Sequence, residues 1–139
     1  MVDLLKLLKN YHYHRDFGGS TSIKDVLPVV LNSSEALKKK YSRPYRGGNF
    51  RNQLWYREDA SGRVIDPYKL LPPVGFEELS DYEAGEEMIA DGGSAMMAWA
   101  RMQFDDVPQQ RRDAVFDALL SYCELDTLAM VMLVEAWRG

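Results

Sequence analysis

The chain has 139 residues, 46% of them apolar and 27% charged, with a formal net charge of −4. On a prior of about 150 residues per domain this is one globular domain or part of one, not a disordered tract. A single Cys123 excludes an internal disulfide and a cysteine-rich zinc module. The longest apolar run lies between Thr127 and Glu135, well short of the ~18 residues a membrane span needs. Met1 runs straight into Val2-Asp3-Leu4-Leu5 without the basic flank and cleavage site of a signal peptide. The expectation is a soluble, cytoplasmic protein with no membrane partner.

The charge is unevenly spread. Residues 1–69 hold 13 Lys/Arg against 7 Asp/Glu, and residues 70–139 hold 4 against 14, so the halves carry +6 and −10. Such a split suits a surface that attracts phosphates beside one that holds divalent cations. It suits equally two halves that neutralise each other across the fold.

In chain order, Val2, Leu4, Leu5, Leu7 and Leu8 recur near helical spacing over 2–9 and predict a short amphipathic helix. Tyr11-His12-Tyr13-His14 alternates rings as an extended segment does. After Gly18-Gly19, Ser20 or Ser22 caps a helix through Ile23, Val26, Leu27 and Val30, which Pro28 should end or kink. A second helix, capped by Ser33 or Ser34, carries Leu37 and Tyr41 on one side and Lys38-Lys39-Lys40 around the rest. From Pro44 to Gly75 the helical period is lost. There Leu54-Trp55-Tyr56 and Val64-Ile65 flank Asp59-Ala60-Ser61-Gly62, the pattern of a β-hairpin. Asp66-Pro67 and Pro72-Pro73 force extended or turning backbone.

Residues 76–91 are acidic and read as a connector between a basic part, 1–75, and a helical part, 92–139. Gly92-Gly93-Ser94 opens a helix through Ala95, Met96, Ala98, Trp99, Met102 and Phe104. Asp106 and Gln109 form a capping box around Pro108, ahead of a helix whose buried stripe is Val115, Phe116, Leu119 and Leu120. A final helix, roughly Tyr122 to Trp137, is apolar round most of its circumference and should be buried. Met96, Met97, Met102, Met130 and Met132 read as core filler. The fold class expected is α+β, mainly helical with one short β-hairpin.

Chemistry concentrates in Tyr122-Cys123-Glu124-Leu125-Asp126-Thr127-Leu128-Ala129-Met130. On a helix Tyr122 and Asp126 share one face, about 5–6 Å apart at Cβ. Asp126 stands before an apolar stretch where an unpaired carboxylate is expensive, so it caps a helix, pairs with a cation or ligates a metal. Elsewhere Lys38, Lys39, Lys40, Arg43, Arg46, Arg51 and Arg57 interleave with Tyr41, Tyr45, Phe50, Trp55 and Tyr56. Cations that hold a backbone and rings that stack on bases suit single-stranded nucleic acid. The plainer possibility is a solvated basic face with Tyr41 and Trp55 in the core. His12 and His14 could share a metal from one side of a strand, but ordinary packing is the simpler role. Cys123 reads as a buried, inert thiol.

The string Tyr122 to Met130 resembles the third motif of the DEDD family of 3′→5′ exonucleases, in its tyrosine form, whose fold is ribonuclease-H-like. The likeness extends to a bacterial domain family of unknown function that often follows a nuclease domain of the RecB type. It is carried by four strings: Gly19-Ser20 with Ser22-Ile23-Lys24-Asp25-Val26-Leu27-Pro28; Asp66-Pro67-Tyr68-Lys69-Leu70-Leu71-Pro72-Pro73; Asp91-Gly92-Gly93-Ser94-Ala95; and Tyr122 to Val131. The resemblance implies that Asp126 binds a catalytic Mg²⁺ or Mn²⁺ and that Tyr122 orients the attacking water. The other motif residues, an Asp-x-Glu on an apolar strand and a further Asp, have no counterpart here. Asp3 falls where such domains carry an Asp at a strand end, without being one of the ligands.

The resemblance therefore implies the C-terminal part of a metal-dependent 3′→5′ nuclease, inactive alone, with Lys38–Arg57 guiding the strand. Its partners would be nucleic acid and an N-terminal nuclease domain, in cis or as a separate chain. The competing expectation is a non-catalytic helical protein-interaction module, whose uncovered apolar faces would make it a homo-oligomer.

Overall fold

The computed structural model describes residues 3–11, 14–19, 21–71, 97, 99–100, 102–104 and 106–139. The chain is mainly helical, and no helix among the described residues is long and apolar enough to cross a membrane. Helix α1 spans Leu4–Tyr11. Asp3 is its cap, its Oδ1 accepting from the amides of Leu5 (3.0 Å) and Lys6 (3.3 Å), so this carboxylate ends no strand. Tyr11 belongs to the helix rather than to an extended segment, and His12 and Tyr13 lie outside the described residues. A 3₁₀ turn, Arg15–Phe17, follows, with the His14 Nδ1 accepting from the Asp16 amide.

Helix α2, Ile23–Ser33, starts after Ser22, one of the two expected caps, whose side chain makes no capping bond, and it continues past Pro28 instead of ending there. Proline removes one donor, and burial of Val26, Leu27, Val30 and Leu31 against the rest of the protein outweighs that loss. Helix α3, Glu35–Tyr41, is capped by Ser34, whose hydroxyl accepts from the Leu37 amide (3.4 Å).

The expected β-hairpin does not form, and among the described residues there is no strand. Its turn is in place: Asp59 Oδ1 accepts from the Ser61 amide, the Ser61 hydroxyl and the Arg63 amide, and Gly62 takes a left-handed φ of 76°. These bonds, the Ser61 hydroxyl foremost, hold the Asp59 carboxyl below its usual range. Pairing then stops at the isolated Glu58–Val64 bridge. The amides of Trp55 (3.1 Å) and Tyr56 (2.9 Å) both donate to the Tyr41 carbonyl at the end of α3, so the upstream arm is held by a helix and not by its partner arm. Downstream, Asp66 caps a 3₁₀ turn, Pro67–Leu70, by accepting from the Tyr68 amide (3.0 Å).

The acidic connector and most of the Gly92–Phe104 helix lie outside the described residues, although Met97, Trp99, Ala100 and Met102–Phe104 are helical. The two helices expected after Asp106 are one, α4, thirty residues from Gln109 to Arg138. No glycine or proline interrupts this span, and Ser121 and Thr127 turn their hydroxyls onto the carbonyls of Asp117 (2.9 Å) and Cys123 (3.0 Å). Neither competes with the helix. There is no capping box: Pro108 is the N-cap, and Gln109 donates to Asp113 instead.

Helix α4 packs against α2 and α3. Leu125, Leu128, Ala129, Met132 and Leu133 follow the 3-4 spacing of a buried stripe and meet Val26, Leu27, Val30, Leu31, Leu37 and Tyr41 in one core. The rest of α4 is less covered than expected. Phe116 is 50% exposed, Leu120, Met130 and Val131 are exposed, and so is Cys123, which is not a buried thiol. Of the methionines, Met102 and Met132 are core, Met97 and Met130 are not, and Met96 lies outside the described residues.

Candidate functional site

Tyr122 and Asp126 lie one turn apart in the middle of α4, so Asp126 caps no helix end. The Asp66-capped turn delivers Tyr68 to this face. The buried Tyr68 hydroxyl donates to Asp126 Oδ1 (2.5 Å), and its ring lies 5.8 Å from the Tyr122 ring. Burial first, then the bond to the Asp126 carboxylate, raises the Tyr68 phenol well above its ordinary value. From α2, Lys24 brings its ammonium to 5.3 Å from the Tyr68 ring centroid and 5.6 Å from that of Tyr122.

Lys24, Tyr122 and Asp126 line an open groove of about 550 Å³. The other lining residues are mostly apolar: Leu4, Leu5 and Leu8 of α1, Ile23 and Val26 of α2, Met130 and Leu133 of α4, with Thr21 and Ser22. The groove is thus an apolar cleft with one carboxylate and one ammonium. Two of the four strings that carry the resemblance to the bacterial domain family line this groove, through Lys24 and the Tyr122–Asp126 pair, and a third bonds Asp126 through Tyr68. The fourth, Asp91–Ala95, lies outside the described residues.

The chain matches no protein-family model, no curated protein and no solved structure.

Asp126 can give one carboxylate to a metal. Among the described residues no group of three or more His, Cys, Asp or Glu side chains could hold an ion, so these residues do not compose a two-metal centre by themselves. His14 Nδ1 accepts from the Asp16 amide, and His12 lies outside the described residues.

None of Lys38, Lys39, Lys40, Arg43, Arg46, Arg51, Trp55 and Arg57 lines the groove. Lys38 pairs with Glu35 (2.8 Å) and Lys40 with Glu135 (2.5 Å), where Tyr41 also donates (3.0 Å). Lys39, Arg43, Arg46, Arg51 and Arg57 are exposed. Trp55 is 0% exposed, packed edge-on against Phe50 at 4.8 Å and 6.1 Å from Tyr45, so it has no face on which a base could stack. Its indole is a core ring, as the plainer possibility had it.

Sequence reasoning passed over Lys24, Tyr68 and Glu124. All three stand inside the strings that carry the resemblance, which was their only signal. Glu124 accepts from the Tyr45 hydroxyl (3.2 Å), the amides of Gly48 (3.0 Å) and Asn49 (2.7 Å), and the Asn49 side chain (2.7 Å). It clamps the Gly47-Gly48-Asn49 loop to α4, between the exposed Arg46 and Arg51.

Proposed function

We propose that this chain is the C-terminal part of a metal-dependent 3′→5′ nuclease acting on single-stranded nucleic acid. In this reading Asp126 is one ligand of a Mg²⁺ or Mn²⁺ ion, and the Tyr122 hydroxyl positions water. The remaining carboxylates come from polypeptide outside this chain, an N-terminal nuclease domain in cis or a partner. The observation that carries it is the position of Asp126: mid-helix, capping nothing, and lining with Tyr122 and Lys24 an accessible groove, while Tyr68 bonds its carboxylate. A carboxylate serving only to close a helix would sit at the helix end with its oxygens on backbone amides. Two-metal hydrolysis needs ions about 3.5–4 Å apart, which one carboxylate cannot hold, so the chain alone should cleave nothing. Exposed Lys39, Arg43, Arg46, Arg51 and Arg57 would guide the strand.

The test is a Mn²⁺ titration of the chain followed by paramagnetic broadening of backbone amides. Broadening centred on Tyr122 and Asp126, abolished by Asp126→Asn, is the expected result. Broadening absent there, or unchanged in the variant, overturns the reading.

A second reading, a non-catalytic helical interaction module that binds another copy of itself, is favoured by one feature. Phe104 is 89% exposed, and Trp99 and Phe116, each about half exposed, line one shallow pocket. Grouped apolar side chains of this kind mark association surfaces. Sedimentation equilibrium should then show concentration-dependent dimers that Trp99→Ser and Phe116→Ser dissociate. A strict monomer at every concentration would remove this alternative.

A further inference from the structure

We infer that Lys24 is the phosphate-contacting residue of the groove, its ammonium meeting a phosphodiester oxygen of a strand whose end lies at Tyr122 and Asp126. The inference rests on the proposal that the groove takes nucleic acid, and it does not depend on the metal.

Lys24 is the second residue of α2 and is half-buried on the groove wall. Its ammonium lies over two tyrosine rings, 5.3 and 5.6 Å from their centroids. Ring faces hold a cation through their quadrupole and leave its charge uncancelled. No carboxylate among the described residues lies within 4.0 Å of it, whereas Lys38 and Lys40 are each spent on a glutamate. Asp126, the nearest acid on the groove, is instead bonded to the Tyr68 hydroxyl. The result is an ammonium on the wall of an apolar cleft, outside ion-pair distance of every described carboxylate, in a groove whose one acid is bonded to a phenol. A lysine so placed is a phosphate binder by its chemistry, and the apolar wall from Leu4, Leu5 and Met130 suits the uncharged face of a base or sugar.

The plainer role for Lys24 is to lay its stem along the apolar wall with the charge turned to water. The two roles separate in binding measured by fluorescence anisotropy, with labelled oligothymidylate and oligoadenylate, the whole chain and EDTA, over a range of NaCl concentrations. Losing one phosphate contact to a single strand lowers the slope of log affinity against log salt by about 0.7. Lys24→Gln should show that drop equally for both oligonucleotides, and Lys24→Arg should restore the wild-type slope, both variants keeping wild-type circular dichroism. An unchanged slope in Lys24→Gln, or no measurable binding by the wild type, overturns the inference. Mn²⁺ broadening at Asp126, repeated on Lys24→Gln, keeps the two ideas apart. Broadening with an unchanged slope removes only the role of Lys24, and a lowered slope without broadening removes only the metal.

Discussion

Asp126 owes its setting to one phenol. Tyr68 is buried, and its hydroxyl has the Asp126 carboxylate as acceptor. A hydrogen bond to a charged group contributes about 1.5–3 kcal/mol, so Tyr68→Phe should lower the urea-unfolding free energy by about that much. Asp126→Asn keeps an acceptor oxygen and should cost less; no loss in Tyr68→Phe would mean the bond itself contributes nothing. The same phenol makes a pH prediction. Tyr68 and Tyr41 are both raised, burial leading and the bonds to Asp126 and Glu135 adding to it. The folded chain therefore holds these protons more tightly than the unfolded chain, whose phenols titrate near 10. Their stabilisation is full below that pH and falls as pH rises through and above it, so the urea midpoint should drop between about pH 9 and 11. Tyr68→Phe should shrink the drop. Tyr122 and Asp126 were legible as a pair because four residues of helix always put them on one face. Tyr68 and Lys24 were not, because their approach depends on how a 3₁₀ turn and α2 pack on α4.

The elements divide by where their backbone bonds go. Helices α1 to α3 were readable because apolar spacing, and for α3 the Ser34 cap, act within a few residues. The hairpin was half readable: Asp59 and Gly62 make their turn locally, but the amides of Trp55 and Tyr56 go to Tyr41, a choice made by the tertiary fold. Helix α4 was read as two because its apolar stripe changes character near Tyr122, yet nothing in the backbone breaks there. If α4 buries one stripe, Leu125→Ala, at 0% exposure, should cost about 2–5 kcal/mol, while the half-exposed Phe116→Ala should stay within about 0.5 kcal/mol. Similar losses at both sites would contradict that packing. The loop clamp is as testable. A Cβ on Gly47 would lie 1.6 Å from Glu124 Oε1 and 2.8 Å from the Tyr45 ring. Gly47→Ala must therefore open the clamp and should lose about 1–3 kcal/mol in thermal or urea unfolding, with amide shifts at Gly48 and Asn49.

Across the whole molecule, the basic and acidic parts meet through particular donors. Tyr45 and Asn49 reach Glu124, Tyr68 reaches Asp126, and Lys40 with Tyr41 reaches Glu135. Of these three links only the last includes an ion pair. Arg43, Arg46, Arg51 and Arg57 stay exposed, with no ion pair among the described residues. Replacing Arg46, Arg51 and Arg57 with Gln should leave stability within about 0.5 kcal/mol, since exposed charges contribute little to folding. The same change should weaken single-strand binding and flatten its salt dependence. Unchanged affinity would remove the proposed basic surface.

By itself the sequence determined the three N-terminal helices, the Asp59–Gly62 turn, the charge split and the facing of Tyr122 and Asp126. Each of these follows from bonds or spacings a few residues long. Only the tertiary structure decided that Trp55 is a core ring, that the hairpin arms part, that Lys24 shares a groove with Asp126 and that Tyr68 bonds it. Those outcomes depend on which buried surfaces and free carbonyls compete for the same group, and that competition is settled between segments far apart in the chain.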